Sequence, residues 1–355
     1  MVNQQFFKMT KIRFAIIGCG RIAERHALHA NHYGELVAVC DIQKEKADAL
    51  AGKYLAKAFY QIEDLLKQDL KLDLVAICTP NGLHAAHSIQ ALKAGFHVLV
   101  EKPMAIATSD CVAMMQVAAE VGKQLFTVKQ NRFNPPIAAL KKAIDENKVG
   151  KLYSFQLSCF WNRPADYYQN SWHGTALDGG VLYTQFSHFI DLIYWLFGDV
   201  RSVKAITKNF AHQANIVGED SGVVILELEN GAIGTINYSV NTTLKNAEGS
   251  LTIIAEHLTL KIGGEYLNTI AYQQGETIEL FNADSEQPPN EYGSYQGSMS
   301  NHHKVYENLV LTLQQGLPFY ATANEAMKAV EMIESIYQSA KNWNHGISTQ
   351  TSQHP

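Results

Sequence analysis

The chain has 355 residues, 46% of them hydrophobic and 18% charged, with a formal net charge of -5. That length suits about two domains. A negative balance without basic runs argues against a nucleic-acid partner, and apolar runs of only strand length argue against a transmembrane helix. The five cysteines (Cys19, Cys40, Cys78, Cys111, Cys159) show no C-x-x-C spacing, and three fall in or beside strand-like runs. They read as reduced thiols of a cytoplasmic protein, not as a disulfide frame or zinc site. MVNQQFFKMT at the start has no apolar core of signal-peptide length, and Met9 is an alternative start that would make residues 1–8 an extension.

Residues 12–17, IRFAII, form a continuous apolar strand of the doubly buried kind. Gly18-Cys19-Gly20-Arg21-Ile22-Ala23 follows at once, a G-x-G-x-x-A dinucleotide fingerprint. Gly18 permits the tight turn, and Gly20 lets the backbone approach a pyrophosphate. The helix behind them offers its free N–H groups and dipole to the phosphates. A second strand, Leu36–Cys40, ends in Asp41, at the spacing expected for the acid that binds the adenosine ribose diol. That carboxylate would repel a 2′-phosphate and no arginine follows it, so NAD is favoured over NADP. A surface Asp capping the next helix is the rival reading.

The alternation continues through helix 44–55, a strand near Ala58–Tyr60, helix 62–68 and strand Asp73–Cys78. Cys78-Thr79-Pro80-Asn81 then opens a helix that Gly95 stops. Strand His97–Val100 runs into Glu101-Lys102-Pro103, and helix 109–121 and strand Leu125–Lys129 complete the pattern. Strands alternating with helices over short loops predict a doubly wound parallel sheet. In such a sheet the strand ends face the ligand crevice, which places Lys102 where chemistry occurs.

Gln130-Asn131-Arg132-Phe133-Asn134 is too polar for a mere linker, and Pro135-Pro136 marks a boundary before helix 137–147. From Gly150 the period becomes two: Tyr153, Phe155, Leu157 and Cys159 alternate with polar residues. Further strands are expected at Ser202–Asn209, Gly222–Glu229, Ala232–Val240, Ser250–Ala255 and Thr277–Phe281, with a hairpin turn at Glu229-Asn230-Gly231. One helix interrupts them, led by Gly179-Gly180 and carrying His188 and Asp191 three apart on one face. Helices at 299–315 and 323–341 close the fold. The expected domains are 11–133, a Rossmann unit, and 134–341, an α/β unit on a large open, mainly antiparallel sheet; 342–355 is a polar tail.

The fingerprint, Thr79-Pro80-Asn81-x-x-His84, Glu101-Lys102-Pro103 and Gly179-Gly180…His188-x-x-Asp191 together resemble the glucose–fructose oxidoreductase / inositol dehydrogenase (Gfo/Idh/MocA) family over nearly the full chain. Where the family helix usually has an Asp four positions before the histidine, this chain has Thr184, followed by Gln185. Those two residues, Gln130-x-Arg132-x-Asn134 and Trp161-Asn162-Arg163-Pro164-x-x-Tyr167-Tyr168 resemble the UDP-N-acetyl-glucosaminuronate 3-dehydrogenases. These oxidise a sugar C3 hydroxyl in bacterial surface-polysaccharide (lipopolysaccharide) synthesis, and some regenerate a retained NAD with 2-oxoglutarate.

The resemblance implies Lys102 on the reacting oxygen and His188 as acid/base. It implies NAD held by Gly18, Gly20, Arg21, Ile22, Asp41, Thr79, Pro80, Asn81, His84, Glu101, Lys102 and Gln130. It implies substrate contacts from Arg132, Asn134, Asn162, Arg163, Tyr167, Tyr168, Thr184, Gln185 and His188. It further implies a homo-oligomer, dimer or tetramer, built through the large sheet. Two alternatives stay open: another sugar or cyclitol dehydrogenase, and a dinucleotide-binding regulator without activity. His26, His29 and His32 step along the first helix with no acidic partner on that face, so no metal is expected there. His302-His303 reads as a solvated helix start.

Overall fold

The structure is a computed structural model and describes residues 11–275, 289–291 and 296–346. It divides into two compact units. The first takes the described parts of Met1–Met104, Ser109–Val128 and His302–Ala323. The second takes those of Ala105–Thr108, Lys129–Asn301 and Asn324–Pro355.

In the first unit strands and helices alternate: β1 (Arg13–Ile17), α1 (Ala23–Tyr33), β2 (Glu35–Cys40), α2 (Lys44–Tyr54), β3 (Lys57–Phe59), α3 (Ile62–Leu66), β4 (Leu74–Ile77), α4 (His84–Lys93), β5 (His97–Val100), α5 (Thr108–Glu120) and β6 (Leu125–Thr127). The strands lie in the order β3-β2-β1-β4-β5-β6, every pair parallel. All of β4 and the last three or four residues of β1 and β5 are buried, as a sheet covered on both faces requires. The order reverses between β1 and β4, so the glycine turn after β1 and the Thr79-Pro80-Asn81 turn after β4 leave from neighbouring strand ends. In open α/β sheets that is where ligands bind. A helix from far along the chain, His302–Gln315, returns to this unit, with the Tyr306 hydroxyl 2.9 Å from His26 Nδ1 on α1.

The second unit holds α6 (Pro135–Asp145), β7 (Leu152–Phe160), α7 (Ala165–Tyr168), α8 (Ser187–Phe197), β8 (Val200–Lys208), β9 (Ser221–Leu228), β10 (Ile233–Ser239), β11 (Glu248–Ala255), β12 (Leu258–Gly263), β13 (Thr269–Gly275), β14 (Pro289–Glu291) and β15 (Gln296–Met299). After these come α9 (His302–Gln315), the returning helix, and α10 (Ala323–Gly346). Seven strands form one sheet in the order β13-β12-β11-β7-β10-β9-β8, antiparallel except for β7 beside β10.

Three expectations change. Pro135 and Pro136 open α6 rather than precede it, because the first helical positions need no N–H partner. Strands β12 and β13 were not foreseen, while the strand expected at Thr277–Phe281 lies outside the described residues. Helix α10 continues to Gly346, past the expected start of the tail at Asn342. Among the described residues no helix is long and apolar enough to cross a membrane, and all five cysteines are free.

Candidate active site

The dinucleotide side is built by the first unit. Gly18 has φ of +93°, and a Cβ there would sit 2.7 Å from the Cys78 backbone, so the turn admits only glycine. A Cβ on Gly20 would meet nothing within 4 Å; it would instead fill the open cradle in front of α1. Asp41, at the end of β2, accepts the Cys19 N–H on Oδ2 (2.7 Å) and the Gln43 N–H on Oδ1 (2.8 Å). The carboxylate is thus fixed beside the glycine turn; the N-cap of α2 is Gln43, with no side-chain cap, so Asp41 is not the capping residue. Ile42 next to it is 80% exposed, an apolar side chain that buries nothing within the unit. Arg21 is exposed and Ile22 half-buried. This constellation fits an NAD: a close-approach glycine, a helix N-terminus behind it, and a carboxylate for the ribose diol.

The next pair of turns is tied together by His84. Its Nδ1 lies 2.7 Å from the Pro103 carbonyl and its Nε2 lies 2.8 Å from the Thr79 carbonyl. Burial holds the imidazole below its ordinary pKa, against the pull of the two carbonyls. His84 is buried between the two backbone turns, and the neutral ring donates to one of the two carbonyls at a time. Thr79 Oγ1 is bonded to His87 Nδ1 at 3.0 Å; Pro80 is half-buried and Asn81 buried.

Glu101 departs most from expectation. Its carboxylate is buried and faces protein rather than a ligand. Oε1 accepts from His26 Nε2 (2.9 Å) and His302 Nε2 (3.0 Å), and Oε2 accepts the Lys102 backbone N–H (2.9 Å). His26 does have an acidic partner, contributed by the residue after β5 rather than by its own helix. His302 is 1% exposed, so it is not a solvated helix start. Lys102 itself is half-buried.

The second unit carries His188 on α8, entered through a π-helical turn, Leu182–Phe186, that holds Thr184 and Gln185. Such turns often sit at functional sites. His188 is 3% exposed. Asp191, one turn on, is gripped by Arg132 through Nε (2.9 Å) and Nη2 (3.0 Å), and by Lys129 Nζ (3.1 Å). Burial alone would raise this carboxyl, but the two cations outweigh it and hold the pKa down at about 2.

Several residues expected on the ligands are engaged within the unit instead. Arg132 is taken up by Asp191 and Glu325. Arg163 donates to Gln185 Oε1 (2.6 Å), to the carbonyls of Asn162 and Gln296, and to Asn246 Oδ1, so its fork is filled by protein acceptors. Asn134 donates to the Tyr266 carbonyl and accepts from Asn301. Gln130 bonds Ser298 and Asn301. The Asn162 amide donates to the Thr242 carbonyl. Tyr167 accepts from Gln185 and stacks on His173 at 4.5 Å, which occupies its ring face. Thr184 Oγ1 reaches the Asp178 carbonyl at 3.4 Å. The Tyr168 hydroxyl is buried without a hydrogen-bond partner among the described residues.

Reading the sequence missed Lys129, His26, His302 and Glu219. The last, 5% exposed, accepts from the hydroxyls of Tyr337 (2.7 Å) and Tyr238 (3.3 Å); Tyr337 also accepts the Leu182 N–H at the head of the π-helical turn. Burial pushes the Glu219 carboxyl up to about 7, with the tyrosine hydroxyls pulling the other way. A groove of about 1610 Å³ in the second unit is lined by Tyr183, Lys328, Met332, Tyr337 and Trp343 among others; it includes none of the expected site residues.

Residues 12–129 match the model of the GFO/IDH/MocA oxidoreductase family, NAD-binding Rossmann fold, and residues 137–261 match the GFO/IDH/MocA C-terminal domain. The chain belongs to this family. It is an oxidoreductase, and NAD is the cofactor of its Rossmann domain. It is 35% identical, over 94% of both chains and with a TM-score of 0.86, to the WlbA dehydrogenase of Chromobacterium violaceum, solved with NADH and UDP-GlcNAcA. The Bordetella pertussis WlbA dehydrogenase, solved with the same two ligands, is 34% identical over 94% of this chain and 96% of that one, also with a TM-score of 0.86. Among curated relatives, the D-glucoside 3-dehydrogenase of Escherichia coli is 35% identical, but over 40% of this chain and 41% of that protein. The inositol 2-dehydrogenase of Rhizobium meliloti is 25% identical over 92% and 96%. The chain spans about half or less of the first two curated relatives it matches.

Proposed function

We propose that this family member oxidises the C3 hydroxyl of a UDP-N-acetyl-hexosaminuronate to the 3-keto sugar, serving bacterial surface-polysaccharide synthesis. The observation that carries this reading is the 34–35% identity, over 94% of the chain, to two dehydrogenases solved with NADH and UDP-GlcNAcA.

Gly18, Gly20 and Asp41 would hold the dinucleotide, which supplies the hydride acceptor. Lys102 places an ammonium against the negative charge that develops on the C3 oxygen. His188 takes the hydroxyl proton on its imidazole and returns it in the reverse direction. Gln185 and Thr184 on the π-helical turn, with Tyr168, orient the sugar. Arg163 acts by fixing Gln185, and Arg132 by fixing the helix of His188. Recycling of the cofactor by 2-oxoglutarate and assembly as a homo-oligomer belong to the same proposal.

A second reading, oxidation of an uncharged sugar or a cyclitol, draws support from the engagement of both arginines inside the protein. It also matches the curated relatives that act on inositol and glucosides. Incubation with NAD and UDP-N-acetyl-glucosaminuronate, with and without 2-oxoglutarate, tests the choice by mass spectrometry. The proposal expects a product lighter by two hydrogens. Turnover of myo-inositol with none of the nucleotide sugar would replace it with the second reading.

A further inference from the structure

The cluster of His26, Glu101, His302 and Tyr306 lies wholly in the first unit, and the reaction as described makes no use of it. Its members are buried, from 0 to 6% exposed. An ionised carboxylate accepts only, so both imidazole Nε2 atoms must donate to Oε1. The Tyr306 hydroxyl lies 2.9 Å from His26 Nδ1, the ring nitrogen turned away from Glu101. Burial favours a neutral Glu101, yet the two imidazole bonds hold its carboxyl well below the ordinary range. The second oxygen binds the Lys102 N–H. One carboxylate thus joins two imidazoles to the peptide that presents the lysine.

We infer that His26 and His302 are positioning residues for Lys102, acting through Glu101: they keep its carboxylate ionised and oriented so that Oε2 fixes the peptide at the end of β5. The inference rests on the role proposed above for Lys102. The same three donors lie within 4.8 Å of one another, a spacing that a divalent cation could span. Two features favour hydrogen bonds. The N···O separations of 2.9 and 3.0 Å suit N–H donation to a carboxylate. His302 Nδ1 has no partner among the described residues, whereas a metal-bound histidine normally has its other nitrogen bonded. The other titratable groups that act on the cluster are Cys78 and His84 on Glu101, and Arg25 and His29 on the histidines.

The test compares His302→Gln, whose amide nitrogen can reach the Nε2 position, with His302→Asn, whose amide cannot. Both are polar and smaller than the site, and thermal melts confirm that each is folded. In His302→Asn, Glu101 loses a donor, and its protonation moves up in pH. The expected result is a roughly tenfold lower kcat with unchanged KM for NAD, and an acid limb of the kcat profile displaced upward. His302→Gln should restore most of the rate and the wild-type limb. The Glu101 titration is also read without substrate, by carboxyl 13C NMR on glutamate-labelled protein, with the signal assigned through Glu101→Gln. If wild type turns over no sugar, the proposed function fails, but the NMR shift still decides the cluster. Equal Glu101 titration in both variants overturns the inference. So does stoichiometric zinc in the wild-type protein whose removal by chelator shifts that titration.

Discussion

Lys102 follows β5 with its own N–H already bound by Glu101, so its backbone is held before any ligand arrives. Replacing it with Met keeps the length of the side chain and removes the charge. The expected outcome is a loss of about 10²–10⁴ in kcat with NAD affinity retained, read by steady-state rates and by quenching of protein fluorescence. A regulator without activity would show no such change. At this scale the sequence was informative wherever backbone geometry restricts the residue. Gly18 is readable because no Cβ fits against Cys78, and the position of Lys102 just past β5 because charged residues follow an apolar run. His302 was not readable: its partner Glu101 is 201 positions away, and nothing local distinguishes a histidine that will be buried from one that will be solvated.

Among the elements, α8 depends on charges from outside itself. Asp191 is buried with Lys129 and Arg132, and the Arg132 guanidinium lies 5.0 Å from the centre of the Trp195 ring. Asp191→Asn would leave two buried cations short of a counterion and should cost about 3–5 kcal/mol in urea unfolding at neutral pH. The stabilisation from the ionised carboxylate is present above its unfolded pKa and disappears as pH falls through about 2. Glu219, at the base of the π-helical turn, has the opposite sign. Its folded pKa is raised to about 7, so its contribution is full below the unfolded value and is lost as pH climbs through about 7. Over that window wild type should lose about 3 kcal/mol that Glu219→Gln does not lose, measured as midpoints at stepped pH. Equal slopes for the two proteins would refute the assignment. Helix periodicity showed that His188 and Asp191 share a face, but it could not show that Asp191 would pair with residues beyond β6. Strand β12 was legible in principle, since Leu258, Leu260 and Ile262 alternate and Gly263-Gly264 closes the run with a turn signal.

For the molecule as a whole, one face of the large sheet carries exposed apolar side chains among the described residues. Ile206, Val223, Ile225, Ile233 and Ile254 are 41 to 59% exposed, and their register puts them on the same side. An apolar strip of this kind marks a surface that meets a partner. A homo-oligomer through this face is the proposal, and Ile225→Lys, in the middle of the strip, should lower the mass found by analytical ultracentrifugation. An unchanged mass would place the contact elsewhere. The alternating pattern of these strands was legible, since period two alone separates the faces. Which face would lack cover was not, because that depends on where α8 packs.

The return of His302–Ala323 to the first unit bears on how the chain is made. A ribosome releases the parallel sheet early, but the helix that supplies His302 and Tyr306 follows roughly 200 residues later, some 10–40 s at 5–20 residues per second. Throughout that interval the nascent Glu101 carboxylate has only one of its two imidazoles, so completion of the nucleotide-binding half waits until the strands of the second unit have been translated.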